Sequence, residues 1–215
     1  MKRSSSDSDQ PQRRSPKRMK RLRATRLRIV AGDLGGRKIE YDGNPDTRPM
    51  KEKTREAVFS LLGGYLDGRF AIDLFAGTGI LGFESISRGA SGALMLELSR
   101  PVVSTMLDNM RALGLAELVQ VQNVDTLRWL RTVDSQTAWI PNQPWVVFCC
   151  PPYSLWNRQT DRIVQGLNQL YQCAPADSEI VCETDFSFDL SKAFPDWDWD
   201  IRTYQPARIG LVVKK

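Results

Sequence analysis

The 215-residue chain is 41% hydrophobic, carries a formal net charge of +5 and contains no histidine. Without imidazole there is no Ser-His-Asp or Cys-His catalysis, no His-ligated metal and no imidazole proton shuttle. The length suits one domain plus a tail, and no run of about 18 apolar residues is present to span a bilayer.

The charge is unevenly placed. Residues 1–28 hold 11 basic and 2 acidic residues, a local +9, whereas residues 29–215 hold 19 basic and 23 acidic ones, a local −4. Residues 1–26 are Ser, Pro, Gln and basic side chains with almost nothing to bury, so a disordered basic tail is expected there. The tail reads either as a solubilising segment or as a polyphosphate-seeking arm, since clustered Lys and Arg gain affinity by releasing counterions. Cys149, Cys150, Cys173 and Cys182 form no C-x-x-C pair, and the N-terminus has no apolar signal core. No zinc or other metal site is expected, and a reducing, cytoplasmic location is.

The domain is expected over residues 27–215, with a hairpin and helix over 27–66 and an α/β core over 67–215. Arg28–Gly32 and Gly36–Tyr41 predict two short strands around a Gly-rich turn. Lys51–Leu62 spaces Ala57, Val58, Leu61 and Leu62 as a helix does. Beyond Gly63-Gly64, strands are predicted at Phe70–Phe75, Ala93–Glu97, Leu118–Gln122, Trp145–Cys149, Glu179–Glu183 and Gly210–Lys214, with a weaker one at Trp199–Thr203. Helices are predicted at Ile80–Arg88, Pro101–Leu113, Thr126–Arg131 and Asp161–Tyr171. Apolar strands alternating with amphipathic helices imply a mostly parallel sheet covered on both faces. The last two strands have no helix between them and should pair antiparallel.

Ala71–Gly82 reads as a buried strand, a tight Gly turn and the first turn of a helix. Gly77 and Gly79 allow a sharp turn and a close ligand, Gly82 allows close helix packing, and Thr78 sits within the turn. The spacing also satisfies G-x-G-x-x-G, so a nicotinamide-dependent oxidoreductase is formally available. Glu97 ends the second core strand, where a carboxylate can accept bonds from both ribose hydroxyls of an adenosine. Asn123 and Asp125 follow the third; Asp125 either accepts from an adenine amino group or caps the helix starting at Thr126.

The fourth strand ends WVVFCCPPY, Trp145–Tyr153. A Pro-Pro-aromatic step has no use in a nicotinamide site. It suits an amine-bearing base: Pro151 and Pro152 lack N–H groups and offer rigid carbonyls, while Tyr153 stacks on an extruded ring.

Three further stretches, RIVAGDLGGRKI (Arg28–Ile39), RPMKEKTREAVF (Arg48–Phe59) and DLFAGTGILGFE (Asp73–Glu84), together resemble the RsmD-type small-subunit rRNA guanine-N2 methyltransferases. The resemblance runs from about Arg28 to Val213. It implies a Rossmann-like class I methyltransferase fold with a seven-stranded sheet, S-adenosylmethionine as cofactor, and a guanine amine of 16S rRNA, free or in a small-subunit assembly intermediate, as acceptor. It further implies that Asp73, Gly77 and Gly79 cradle the methionine part, that Glu97 holds the ribose and Asp125 the adenine, with Phe75, Thr78, Leu98 and Asn123 also in the cofactor-binding site. The enzyme is expected to act as a monomer away from membranes.

The chain departs from that family at one position. The family motif reads acidic (or Asn)-Pro-Pro-aromatic, and Cys150 stands where the acid belongs. A thiol accepts hydrogen bonds weakly, and losing one such group costs on the order of 10²–10³ in rate. An alternative is therefore a catalytically weakened methyltransferase fold that binds rRNA as an assembly factor. A nucleophilic Cys150, as in cytosine-C5 methyltransferases, is disfavoured because those place cysteine after proline. Arg37 and Lys38 on the hairpin, and Arg48 and Arg55 near the cofactor mouth, form the expected RNA-facing edge, with Lys51 and Lys53 as readily read as a solvated helix face.

Overall fold

The computed structural model describes residues 25–41, 43, 47 and 49–215. The expected tail lies outside the described residues except for Thr25 and Arg26, which start a strand instead. Thr25–Arg28 (β1) and Lys38–Tyr41 (β2) pair antiparallel as the N-terminal hairpin. The main sheet contains β3 (Phe70–Asp73), β4 (Gly92–Glu97), β5 (Val119–Asn123), β6 (Trp145–Cys149), β7 (Glu179–Thr184), β8 (Asp200–Tyr204) and β9 (Ala207–Val213). Its order is β5-β4-β3-β6-β7-β9-β8. The helices are α1 (Glu52–Leu61), α2 (Ile80–Ser87), α3 (Arg100–Leu113), α4 (Thr126–Trp129), α5 (Val133–Thr137), α6 (Tyr153–Arg158), α7 (Thr160–Cys173) and α8 (Leu190–Ala193).

Strands β3 to β7 run parallel, and β9 inserts antiparallel between β7 and β8. The chain builds outward from β3 through β4 to β5, then returns to place β6 and β7 on the other side. Its direction therefore reverses between β3 and β6. In open α/β sheets, the crevice beyond the strand ends at such a point is where ligands bind.

Side chains alternate across each strand, which divides the core in two. Ile72, Leu94, Val147 and Ile180 pack with Leu127 of α4 and with Ile163 and Leu167 of α7. Ala71, Met95, Val146 and Val181 face the other way, towards Phe59 of α1, Phe83 of α2, Met106 of α3 and Ile29 and Ile39 of the hairpin region. Continuing the alternation puts Asp73, Glu97, Cys150 and Glu183 on this second face, at the carboxyl ends of four neighbouring strands. Gly82 brings α2 tight against β4: a Cβ there would lie 2.3 Å from the Met95 sulfur.

The hairpin is anchored to the same face by side chains that bond its backbone. Asn109 of α3 accepts from the Glu40 N–H (2.8 Å) and donates to the Glu40 carbonyl (2.9 Å). Glu84 of α2 accepts from the N–H groups of Val30 (2.8 Å) and Ala31 (3.1 Å). These anchors explain a shift from the predicted boundaries. The first strand ends at Arg28, not Gly32: the Ile29 N–H still reaches the Arg37 carbonyl (2.9 Å), but the Val30 and Ala31 amides turn to Glu84 rather than to a ladder. At the far end β9 begins at Ala207, ahead of the predicted Gly210, since it pairs with both β7 and β8.

Candidate active site

Asp73, the last residue of β3, is 1% exposed, and neither carboxylate oxygen has a hydrogen-bond partner. Burial pushes its pKa up to about 7; the backbone amides of Phe75 and Gly82 pull downward without closing to bonding geometry, and the Glu97 charge pushes further up. A buried acid left unpaired is costly, so the site is complementary to a ligand that brings an ammonium or several N–H donors. The following turn is built on glycine. Gly77 and Gly79 have φ of +52° and +78°, in the left-handed region, and Gly79 leads directly into α2. Thr78 between them is buried.

Glu97 is held by backbone: its Oε2 accepts from the Gly77 N–H (2.9 Å) and its Oε1 from the Ser99 N–H (2.8 Å). Each oxygen keeps further acceptor capacity, oriented by these two bonds, for paired hydroxyls. Asn123 is exposed, with its amide nitrogen turned to backbone. Its Nδ2 donates to the carbonyls of Glu97 (2.9 Å) and Leu98 (2.8 Å), which fixes the β4 end. Leu98 is 69% exposed beside it, an apolar surface for a flat ring. Asp125 caps α4, with Oδ1 accepting from Leu127 (2.9 Å) and Arg128 (3.3 Å) N–H groups. Phe75 is partly buried on the opposite core.

Across the crevice, Cys150-Pro151-Pro152 leaves β6 and Tyr153 opens α6. The Pro152 carbonyl accepts from the Leu155 N–H (2.8 Å), which uses one of its two lone pairs. Burial pushes the Cys150 thiol well up, and the charges of Glu183 and Asp73 push in the same direction. A thiol with its pKa raised is not the activated thiolate that a nucleophilic cysteine needs, which agrees with its place before the prolines.

Glu183, near the end of β7, is the site residue that sequence reading missed. Tyr153 donates its hydroxyl to Glu183 Oε1 (2.8 Å), and the Trp156 indole N–H donates to the Glu183 carbonyl (2.8 Å). Burial and this bond to a carboxylate raise the Tyr153 pKa, so the phenol stays protonated. The available signal was the one used for Glu97: an acid closing a continuous apolar strand.

The basic residues divide. Lys38 is exposed, and Arg37 is exposed while donating to the Ala112 carbonyl at the end of α3 (3.1 Å). Arg48 lies outside the described residues. Arg55 is 1% exposed; its guanidinium bonds Glu84 (3.3 Å), the Arg28 carbonyl (2.5 Å) and the Met50 carbonyl (3.4 Å). Arg55 is thus a core ion rather than an RNA-facing side chain. Among the described residues no cluster of acids and cysteines could hold a metal ion, and no helix is long and apolar enough to cross a membrane.

Residues 27–204 match the family model described as "Conserved hypothetical protein 95". The chain belongs to this family, the RsmD-like rRNA methyltransferases. Among family relatives, ribosomal RNA small subunit methyltransferase D of Escherichia coli K12 is 35% identical over 127 residues, 59% of this chain and 60% of its own. The protein of the same name from Buchnera aphidicola of Acyrthosiphon pisum is 33% identical over 130 residues, 60% of this chain and 64% of its own. The match thus spans under two thirds of either RsmD relative. The fold of this RsmD-like chain also matches a Thermus thermophilus 16S rRNA N2 G1207 methyltransferase solved with AdoMet and guanosine. That match has a TM-score of 0.67 and 16% identity over 90% of this chain and 50% of the other.

Proposed function

We propose that this RsmD-like protein transfers a methyl group from S-adenosylmethionine to the exocyclic N2 of a guanine in small-subunit (16S) rRNA. The observation that carries the reading is the strand register that sets Asp73, Glu97, Cys150 and Glu183 along one rim, with a Gly turn at one end and Pro-Pro-Tyr at the other. The residues fit the cofactor. Asp73 lacks the N–H partners that the ammonium of its methionine part offers, and Glu97 is pre-oriented for its ribose hydroxyls. Leu98 offers an apolar surface for the adenine, with Asp125 Oδ1 committed to the helix cap.

When bound, S-adenosylmethionine supplies a sulfonium methyl, which a nitrogen lone pair takes up while that nitrogen loses one proton. Such a transfer needs alignment more than a strong base, so a histidine-free site suffices. Tyr153 and Pro151 hold a base turned out of its stack, and exposed Lys38 with the basic N-terminal segment attract the RNA backbone. The small ribosomal subunit or an assembly intermediate is the matching partner. The test is incubation of undermethylated small subunits with labelled S-adenosylmethionine, then nuclease digestion and mass spectrometry. N2-methylguanosine is expected; cofactor binding without any methylated nucleoside would leave the assembly-factor reading standing instead.

A further inference from the structure

The motif carboxylate is missing from this chain at Cys150, and the structure brings another to the same place from the next strand. Cys149 and Cys182 are register partners in the parallel β6–β7 pair. One residue further on, Cys150 and Glu183 therefore sit side by side and face the same way. Glu183 is partly buried, its strand is fixed by the Trp156 bond to its carbonyl, and its Oε1 is aimed by the Tyr153 hydroxyl. A carboxylate offers about four lone-pair sites, so the bond from Tyr153 does not by itself exhaust its capacity to accept.

We propose that Glu183 is the catalytic carboxylate of this chain: it accepts a hydrogen bond from the guanine N2 amine, in place of the acid that Cys150 replaces. This rests on the reading of the site as a guanine-N2 methyltransferase. The thiol at position 150 then serves as a small neighbour that leaves room for the longer glutamate side chain. Held from one N–H by Glu183, the amine keeps its lone pair directed across the crevice towards the Asp73 side. As the nitrogen–methyl bond forms, the carbon–sulfur pair stays on sulfur and the N2 proton passes to the Glu183 carboxylate. A sulfonium and a carboxylate thus become a thioether and a carboxylic acid, and charge balances.

The discriminating pair of ligands is GMP and IMP, which differ only in the exocyclic amine. With protein saturated in S-adenosylhomocysteine, calorimetry should show wild type binding GMP more tightly than IMP. Glu183→Gln should weaken GMP about 10- to 100-fold, as loss of a charged hydrogen bond does, while moving IMP and S-adenosylhomocysteine by less than about twofold. Cys150→Asp in the Glu183→Gln background should restore the GMP preference. The methylation kcat of Glu183→Gln should fall on the order of 10²–10³, and Glu183→Asp, which keeps the charge, should fall less. Equal loss of GMP and IMP would mean that Glu183 only steadies Tyr153, and no GMP preference in wild type would equally overturn the proposal. If wild type methylates guanine and Glu183→Gln matches it, the Glu183 assignment alone fails. If wild type methylates no guanine, the functional reading fails first.

Discussion

Glu84 and Asp73 are two acids sealed from water on the same face of the sheet, and their surroundings are opposite. Glu84, 0% exposed, accepts from the Val30 and Ala31 amides and from the Nε of Arg55 (3.3 Å) and Arg88 (3.0 Å). Arg88 in turn donates to the Gly64 carbonyl (2.8 Å) and lies over the Phe59 ring at 4.6 Å. Asp73 has none of this. One acid is consumed by the fold, tying hairpin, α1 and α2 together; the other is a demand that the polypeptide leaves unmet. A satisfied buried charge marks architecture, and an unsatisfied one beside a glycine turn marks a ligand.

The largest effect should come from removing the satisfied acid. Glu84→Ala strands two buried guanidinium groups and should cost about 3–5 kcal/mol in urea unfolding. Hydrogen exchange at Val30 and Ala31 should accelerate with it. A loss below about 1 kcal/mol would show that Glu84 is not the anchor described.

Asp73 should behave in the reverse sense. Its pKa, about 7 when folded, is raised above an unfolded value of about 3.9. The stability linked to it is therefore fully present below about pH 4, is lost as pH rises towards about 7, and stays lost above. Asp73→Asn should flatten that part of a pH–stability profile without lowering stability at neutral pH. If the profile is unchanged, the carboxyl does not titrate as its burial implies. The same variant should weaken S-adenosylhomocysteine about 10- to 100-fold by calorimetry, since a charge-assisted bond is lost.

The smallest effect is expected from a third acid, half spent on each purpose. Asp125→Ala removes the α4 cap and should cost about 1 kcal/mol in the same unfolding experiment. A much larger drop in cofactor affinity than in stability would instead rank Asp125 with Asp73.

Much of this was legible in the chain before folding. Strands β3, β4, β6 and β7 are continuous apolar runs, and the Gly77–Gly79 turn announces itself by residue type. What escaped was long-range. Arg55 reads as a surface cation on an amphipathic helix, and only its partner Glu84, 29 positions away, makes it a core residue. Glu183 follows a run like the one preceding Glu97, but its meaning depends on the β6–β7 register, which local pattern does not contain. The short helices α5, α6 and α8 escaped because four to six residues give too little periodicity; α8 is set by the Asp189 cap, whose side chain accepts from Ser191 and Lys192.

The most direct measurement is calorimetric titration of S-adenosylhomocysteine into wild type and Asp73→Asn at about pH 6 and about pH 8. An unpaired acid that must ionise to receive the ligand's ammonium predicts tighter wild-type binding at the higher pH and weak, nearly flat binding by the variant. Identical affinities for both proteins at both pH values would contradict the assignment of Asp73, and with it the distinction between the acid that holds the fold and the acid that waits for a ligand.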